Sequence, residues 1–203
     1  VKAVISLLRA IAAPLIRDNI DTDAIIPSRE IKSVGKTGLA DGLFAGWRYT
    51  TVGGREPEPG FLLNQPRYAD ARILLAGANV GCGSSREHAA WALAEYGFRA
   101  VVAPSFNPIF RANCVRNGIV PVELDPVPLA SVDGPLDIDL RAQTVRADDG
   151  RCWAFAIDAE AKAMLTGGLD EIGLTLQRLG EITAFRMRDR ALRPWSYVEG
   201  SRA

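Results

Sequence analysis

Three cysteines and one histidine are all the thiol and imidazole metal ligands that this 203-residue chain offers. Cys82, Cys114 and Cys152 stand far apart, and no two make a C-x-x-C pair. An odd, scattered set is a poor disulfide framework and suits a reducing compartment. With only His88 beside them, the chain is not expected to build a zinc or iron–sulfur site alone, so no metal is assigned to it. An excess of either charge is also missing, because 24 Lys and Arg balance 24 Asp and Glu. Nucleic-acid binding usually draws on a basic surplus that displaces counterions, so no nucleic-acid partner is expected. No apolar run approaches the ~18 residues of a membrane span, so no membrane partner is expected either. Lys2 to Leu8 imitates a short signal peptide, but Arg9 interrupts the apolar stretch. That stretch reads as a strand or strand pair, and the protein as cytoplasmic. No internal repeat or low-complexity tract is found.

What is present is an ordinary globular composition, 48% hydrophobic and 24% charged. The length suits one large domain. We expect residues 1–203 to form it, with a helical extension over about 159–193 and a loose tail over 194–203. The first seventy residues are rich in Pro and Gly and predict short strands and long loops, with Gly53 to Gly60 as a surface loop. Ile73 to Ala76, Ala100 to Ala103 and Ile119 to Leu124 read as strands. Ser84 to Tyr96, closed by Gly97, and Pro108 to Asn117, closed by Gly118, read as the helices between them. This alternation predicts parallel strands with right-handed crossovers. Leu136 to Leu140, Thr144 to Ala147 and Arg151 to Ile157 alternate like strands, with Asp148-Asp149-Gly150 as a hairpin turn. Ala159 to Leu165 and Ile172 to Asp189 read as helices, the second with Ile172, Leu176, Leu179 and Thr183 on one face.

The densest chemistry is Gly81-Cys-Gly-Ser-Ser-Arg-Glu-His-Ala89, where a strand hands over to a helix. First-turn N–H groups lack internal partners, the dipole makes that end positive, and glycines let a ligand approach. Arg86 adds a planar charge suited to a carboxylate. The same residues also read as simple architecture. Ser84-x-x-Glu87 fits a capping box, His88 a structural hydrogen bonder and Cys82 a packed small residue. The P-loop and dinucleotide fingerprints are absent. Two further constellations stand out. Asp18-Asn-Ile-Asp-Thr-Asp23 suits a cation, a catalytic carboxylate or a set of Asx turns. Pro104-Ser-Phe-Asn-Pro108 lies at the C-terminal end of a parallel strand, the edge where α/β sheets bind ligands, although Ser105 or Asn107 also fits a helix cap.

Five motifs in register carry a resemblance. They are Asn19-Ile-Asp-Thr-Asp-Ala-Ile-Ile-Pro27, Asp41-Gly-Leu-Phe44 with Trp47-Arg48, Gly81 to Ala89, Ala103-Pro-Ser-Phe-Asn-Pro-Ile-Phe110, and Gly168-Leu-Asp-Glu-Ile-Gly-Leu-Thr-Leu176. Over about Ala12 to Pro194 the chain resembles the small subunits of 3-isopropylmalate dehydratase. The resemblance implies an α/β fold, the swivelling β/β/α layered fourth domain of the aconitase superfamily, with a mainly parallel central sheet. It implies a large-subunit partner bearing a 4Fe–4S cluster, and a hydroxy diacid substrate isomerised by loss and return of water. It places Ser84 as the base and Asp23 beside it to relay or orient the proton. Ser85 and Arg86 would hold a substrate carboxylate. Arg29 to Gly35 would be the specificity loop, with Ile31 and Lys32 meeting the substrate. Many relatives read Phe-Leu where this chain has Glu30-Ile31. Small subunits of homoaconitases or of citraconate or methylmalate hydratases would run the same reaction with another pocket. Outside that chemistry stand a non-catalytic anion-binding module and a cysteine hydrolase built on Cys82 and His88, which lacks an evident third orienting residue.

Overall fold

Two four-residue segments, Ile73–Ala76 (β3) and Ala100–Ala103 (β4), are apolar at every position and buried at every position. That is the pattern of strands covered on both faces. In the computed structural model, which describes residues 4–32 and 35–197, they form the centre of a parallel sheet. Its order is β2-β3-β4-β5, with β2 at Ala12–Leu15 and β5 at Val120–Glu123. Both edge strands carry a proline, Pro14 and Pro121. An edge tolerates the missing N–H and gains protection against pairing with another chain. The helices Glu87–Tyr96 (α3) and Pro108–Arg116 (α4) connect the strands in the expected alternation. Asn107 caps α4 by accepting from the N–H groups of Ile109 and Phe110, and Gly97 ends α3 with a positive φ of 124°.

A second sheet is antiparallel, with order β1-β6-β7-β8: Leu7–Ala10, Leu136–Asp139, Thr144–Ala147 and Cys152–Ala154. Arg9 crosses it as a fork, donating to Asp137 at 2.8 Å and to Asp148 at 2.9 and 2.8 Å. The hairpin at Asp148–Gly150 forms as its sequence predicts, with Gly150 at φ 90°. The N-terminal apolar stretch yields two strands that begin later than Ala3, at Leu7 and Ala12. Residues 1–3 lie outside the described residues.

The long connection between β2 and β3 holds the short helices Thr22–Ile25 (α1) and Ala45–Arg48 (α2) and several 3-10 turns. Its centre is Phe44, fully buried yet left-handed at φ 51°. Left-handed backbone costs a non-glycine residue roughly 1–2 kcal/mol. Burying the ring contributes about 2–3 kcal/mol. The ring stacks on Trp47 at 5.7 Å and meets Phe61 at 6.1 Å, while the Phe44 N–H donates to the Ile25 carbonyl at 2.7 Å. Packing therefore outweighs the strain.

The chain divides into two compact units, Val1–Gly168 and Leu169–Ala203. Helix Ala159–Gly167 (α6) belongs to the first, where it buries Ala161, Met164 and Leu165; so does the single turn Val127–Ala130 (α5). In the second unit the single helix expected over Ile172–Asp189 is two, Glu171–Gln177 (α7) and Leu179–Leu192 (α8). The break falls at Arg178, whose ψ of 17° leaves the helical range two residues before Gly180, a poor helix former. No residue of α7 or α8 is buried, so Ile172, Leu176 and Leu179 stay exposed. Within the tail expected to be loose, Pro194–Ser196 forms a 3-10 turn and the Tyr197 hydroxyl donates to Asp189 at 2.8 Å. Residues 198–203 lie outside the described residues.

Gly81 follows β3 at φ 75°, and a Cβ built there would stand 2.0 Å from the Phe110 ring on α4. Left-handed strain of ~1–2 kcal/mol and overpacking of ~1–3 kcal/mol act together in Gly81→Ala. We expect a loss of at least ~2 kcal/mol in urea denaturation; an unchanged midpoint would mean that neither term operates.

Candidate active site

Three loops leave the C-terminal ends of β2, β3 and β4, and backbone hydrogen bonds zip them together. The Gly81 N–H donates to the Ile20 carbonyl at 2.7 Å, and the Thr22 N–H to the Cys82 carbonyl at 3.0 Å. The Val80 N–H donates to the Ser105 carbonyl at 3.2 Å, and the Asn107 N–H to Val80 at 2.9 Å. These bonds continue the parallel pairing past the strands. The three motifs singled out in the sequence thus meet at one sheet edge, the edge that α/β folds use for ligands.

Side chains reinforce the zip and consume most of the polar groups. Asp18 accepts from the Ala78 N–H at 2.7 Å, and Asp21 caps α1 by accepting from Ala24 at 2.6 Å. The Asn79 side-chain amide donates to Asn19 at 2.8 Å, and the Asn79 N–H to the Ser105 hydroxyl at 2.8 Å. Buried Thr22 donates its hydroxyl to the Ser84 carbonyl at 3.0 Å and so fixes the backbone that presents Ser84. The Asx-turn reading accounts for Asp18 and Asp21. Asp23 differs: its exposed carboxylate forms an ion pair with the Arg86 guanidinium through Nη1.

The capping box does not form. Helix α3 begins at Glu87, its N-cap is Arg86, and no side chain caps it. Glu87 instead accepts from the Asn117 amide at 2.9 Å and from the Trp91 indole N–H at 3.1 Å. Ser84 and Ser85 stand before the helix, both exposed, and among the described residues the Ser84 hydroxyl makes no hydrogen bond. The Arg86 N–H donates to the Ser84 carbonyl at 2.8 Å, so the two residues are tied through the backbone. His88 lies against the Trp91 ring at 4.6 Å, and Cys82 contributes its backbone to the bridge with Asp21. Among the described residues no group of three His, Cys, Asp or Glu side chains is placed to hold a metal ion, and burial pushes the Cys114 thiol well above its ordinary range. These residues do not fit an iron–sulfur cluster.

Asp23, Ser84 and Arg86 are brought together, and Ser85 lies between the last two. Ile31 is half-buried against the core and Lys32 is exposed; among the described residues no hydrogen bond or ion pair joins either to Ser84–Arg86. Ser33 and Val34 of the expected specificity loop lie outside the described residues. Sequence reasoning missed the groups that hold this loop. Glu30 is buried, accepts from Arg55 Nη2 at 2.5 Å and lies 3.6 Å from Arg29 Nε. Arg55 comes from the surface loop 53–60, so one residue of that polar stretch reaches inward. Glu95 accepts from the N–H groups of Gly38, Leu39 and Ala40 at 2.6, 2.5 and 2.9 Å. Neither pairing leaves a local trace in the sequence, because the partners are 25 and more than 50 residues apart.

Comparison with known proteins follows this geometry. The aconitase C-terminal domain family matches residues 3–127, and LeuD_N matches residues 130–159. A 3-isopropylmalate dehydratase small subunit of Cupriavidus necator is 52% identical, covering 95% of this chain and 97% of its own. One from Magnetococcus marinus is 45% identical over 94% of this chain and 96% of its own. Among solved structures, a 3-isopropylmalate dehydratase from Methanocaldococcus jannaschii superposes with a TM-score of 0.67 at 25% identity, covering 88% of this chain and 99% of that one.

Burial opposes the charged forms of Glu87 and Glu95, yet their hydrogen bonds win and hold both carboxyls below the ordinary 4.5. A carboxyl depressed in the fold contributes stability above its unfolded pKa and loses it as pH falls through the lower folded value. Glu87→Gln with Glu95→Gln should therefore flatten the fall in stability below about pH 4.5, measured by urea titration at stepped pH. A slope equal to wild type would show that these carboxylates are not depressed.

Proposed function

This chain belongs to the aconitase C-terminal domain family and, within it, to the small subunits of 3-isopropylmalate dehydratase, a hydro-lyase of leucine biosynthesis, and we propose that its Ser84 edge is half of an active site completed by a large subunit. The substrate of this reading is a hydroxy diacid, 2-isopropylmalate, which loses water and regains it as 3-isopropylmalate. Among the described residues no helix is long and apolar enough to cross a membrane. We place the enzyme in the cytoplasm, without nucleic acid or membrane as partner.

The uncommitted Ser84 hydroxyl carries this reading. It projects from a backbone that Thr22 and Gly81 hold in register, two residues from a guanidinium. Ser84 takes the proton from the carbon next to a substrate carboxylate. The neighbouring positive charge of Arg86 favours the alkoxide that this step needs. Arg86 spends Nη1 on Asp23, which leaves the rest of its planar fork to bind a carboxylate as negative charge builds there. Asp23 acts as the orienting partner of Arg86, and Ser85 adds a hydrogen bond to the same carboxylate. Ile31 and Lys32 face the substituent and the far carboxylate.

Abstracting a weakly acidic proton needs a site shielded from water. Ser84, Ser85 and Asp23 are exposed. The other wall therefore belongs to the large subunit, which also bears the 4Fe–4S cluster that this chain's residues do not fit. That cluster, held by the large subunit and not by this chain, would supply the Lewis acid that elimination of hydroxide needs.

Ser84→Ala should lower kcat of the two-subunit enzyme by at least ~10³-fold while leaving subunit association intact, measured by steady-state kinetics beside gel filtration. Arg86→Lys should raise KM for 2-isopropylmalate about tenfold, since lysine lacks the two-pronged contact. Wild-type rates in Ser84→Ala would remove the base from this account. Cys82→Ala should retain turnover, and a dead variant would revive a thiol mechanism.

A further inference from the structure

Thr22 is polar and yet only 2% exposed. A hydroxyl withdrawn from water costs free energy unless it is hydrogen-bonded. Thr22 grips the chain around Ser84 at two points. Its N–H donates to the Cys82 carbonyl at 3.0 Å, and its hydroxyl donates to the Ser84 carbonyl at 3.0 Å. Gly83 is the joint between them, left-handed at φ 85°, and a Cβ built there would lie 3.7 Å from the Thr22 hydroxyl oxygen. Glycine gives that joint a torsional freedom that other residues lack. The grip on both of its sides removes the freedom and fixes the Ser84 Cα between two held carbonyls. The support behind Thr22 is stiff. The Ile26 N–H donates to the Thr22 carbonyl at 3.0 Å and the Phe44 N–H to the Ile25 carbonyl at 2.7 Å, while Ile25 and Ile26 are buried at 1% and 0% exposure. The next residue of the same turn serves the other group: Asp23 pairs with Arg86 through Nη1. Thr22 thus holds the serine's backbone, and Asp23 the arginine's side chain.

We propose that Thr22 is a positioning residue for proton abstraction: through the Ser84 carbonyl its hydroxyl holds the Ser84 side chain at reacting distance from the substrate carbon. This rests on the assignment of Ser84 as the base made above. Thr22 touches no reacting atom and acts only through the backbone it grips. Losing its hydroxyl frees the Ser84 side of the Gly83 joint. The Arg86 N–H still reaches the same carbonyl, and Asp23 still holds the guanidinium. Carboxylate binding is therefore kept while the base is misplaced. The expected signature is slower chemistry with substrate affinity preserved.

The test uses the full chain complexed with its large subunit and steady-state kinetics on 2-isopropylmalate. Thr22→Val keeps the branched shape of the side chain and removes the hydroxyl. It should lower kcat about 10- to 100-fold, the scale on which a shift of about 1 Å spoils a reacting geometry, with KM little changed. Thr22→Ser restores the hydroxyl and should recover most of that loss. Thr22→Ala takes the place of Thr22→Val if the valine variant does not fold. The decisive arm is a double-mutant cycle. Added to Ser84→Ala, Thr22→Val should cost nothing further in the residual rate, because its effect passes through the serine. A purely structural role would cost as much in that background as in the wild-type one. Wild-type kcat in Thr22→Val, a rise in KM alone, an equal loss in Thr22→Ser, or an undiminished loss in the Ser84→Ala background would overturn the proposal. A fully active Ser84→Ala enzyme would instead sink the assignment of the base, so the two failures are told apart.

Discussion

The N–H of Gly81 reaches the carbonyl of Ile20, and the N–H of Thr22 reaches the carbonyl of Cys82. These two bonds lock the loop after β2 to the loop after β3, and every side chain at the candidate site inherits its place from that lock. The glycine at 81 is what permits the close approach. It allows the left-handed turn and leaves room for the Phe110 ring. Thr22 extends the lock to Ser84 itself through the Ser84 carbonyl. The candidate side chains are thus positioned by main chain, while Asp18 and Asp21 accept from backbone N–H groups and Asn19 accepts from the Asn79 side-chain amide.

Two ion pairs near the site differ in kind. In Arg86–Asp23 the side chains are 26% and 52% exposed, so the pair contributes at most ~1 kcal/mol to stability. A weak pair of this sort orients a guanidinium while adding little to stability. In Arg55–Glu30 the carboxylate is only 4% exposed. Removing one partner there strands a buried charge, which costs ~3–5 kcal/mol where burial is complete. The first pair orients a side chain and the second anchors one.

The parallel core was legible because β3 and β4 are apolar throughout and bounded by glycine and proline. The meeting of three motifs at one edge was legible too, since each follows a strand. Ser84 and Arg86 stood out by their chemistry. Helix boundaries were less legible: Ser84-x-x-Glu87 satisfies the local pattern of a cap, but Asn117 and Trp91 compete for Glu87 and win through tertiary contact. The break at Arg178 escaped notice because the apolar period runs across it unbroken. Glu30–Arg55 and the Glu95 hydrogen bonds were invisible, since a carboxylate's choice between water and a distant backbone is made only after folding.

Phe44 illustrates how such a structure resists change. Its backbone asks for glycine and its ring asks for bulk, and no single amino acid satisfies both demands better. Glycine would relieve ~1–2 kcal/mol of strain but forfeit ~3–5 kcal/mol of packing. A β-branched side chain would fit the left-handed turn even less well. The position is therefore an evolutionary trap: drift can leave it only through simultaneous changes at Trp47, Phe61 or the turn itself, so the hub of the long connection should evolve more slowly than the surface it supports.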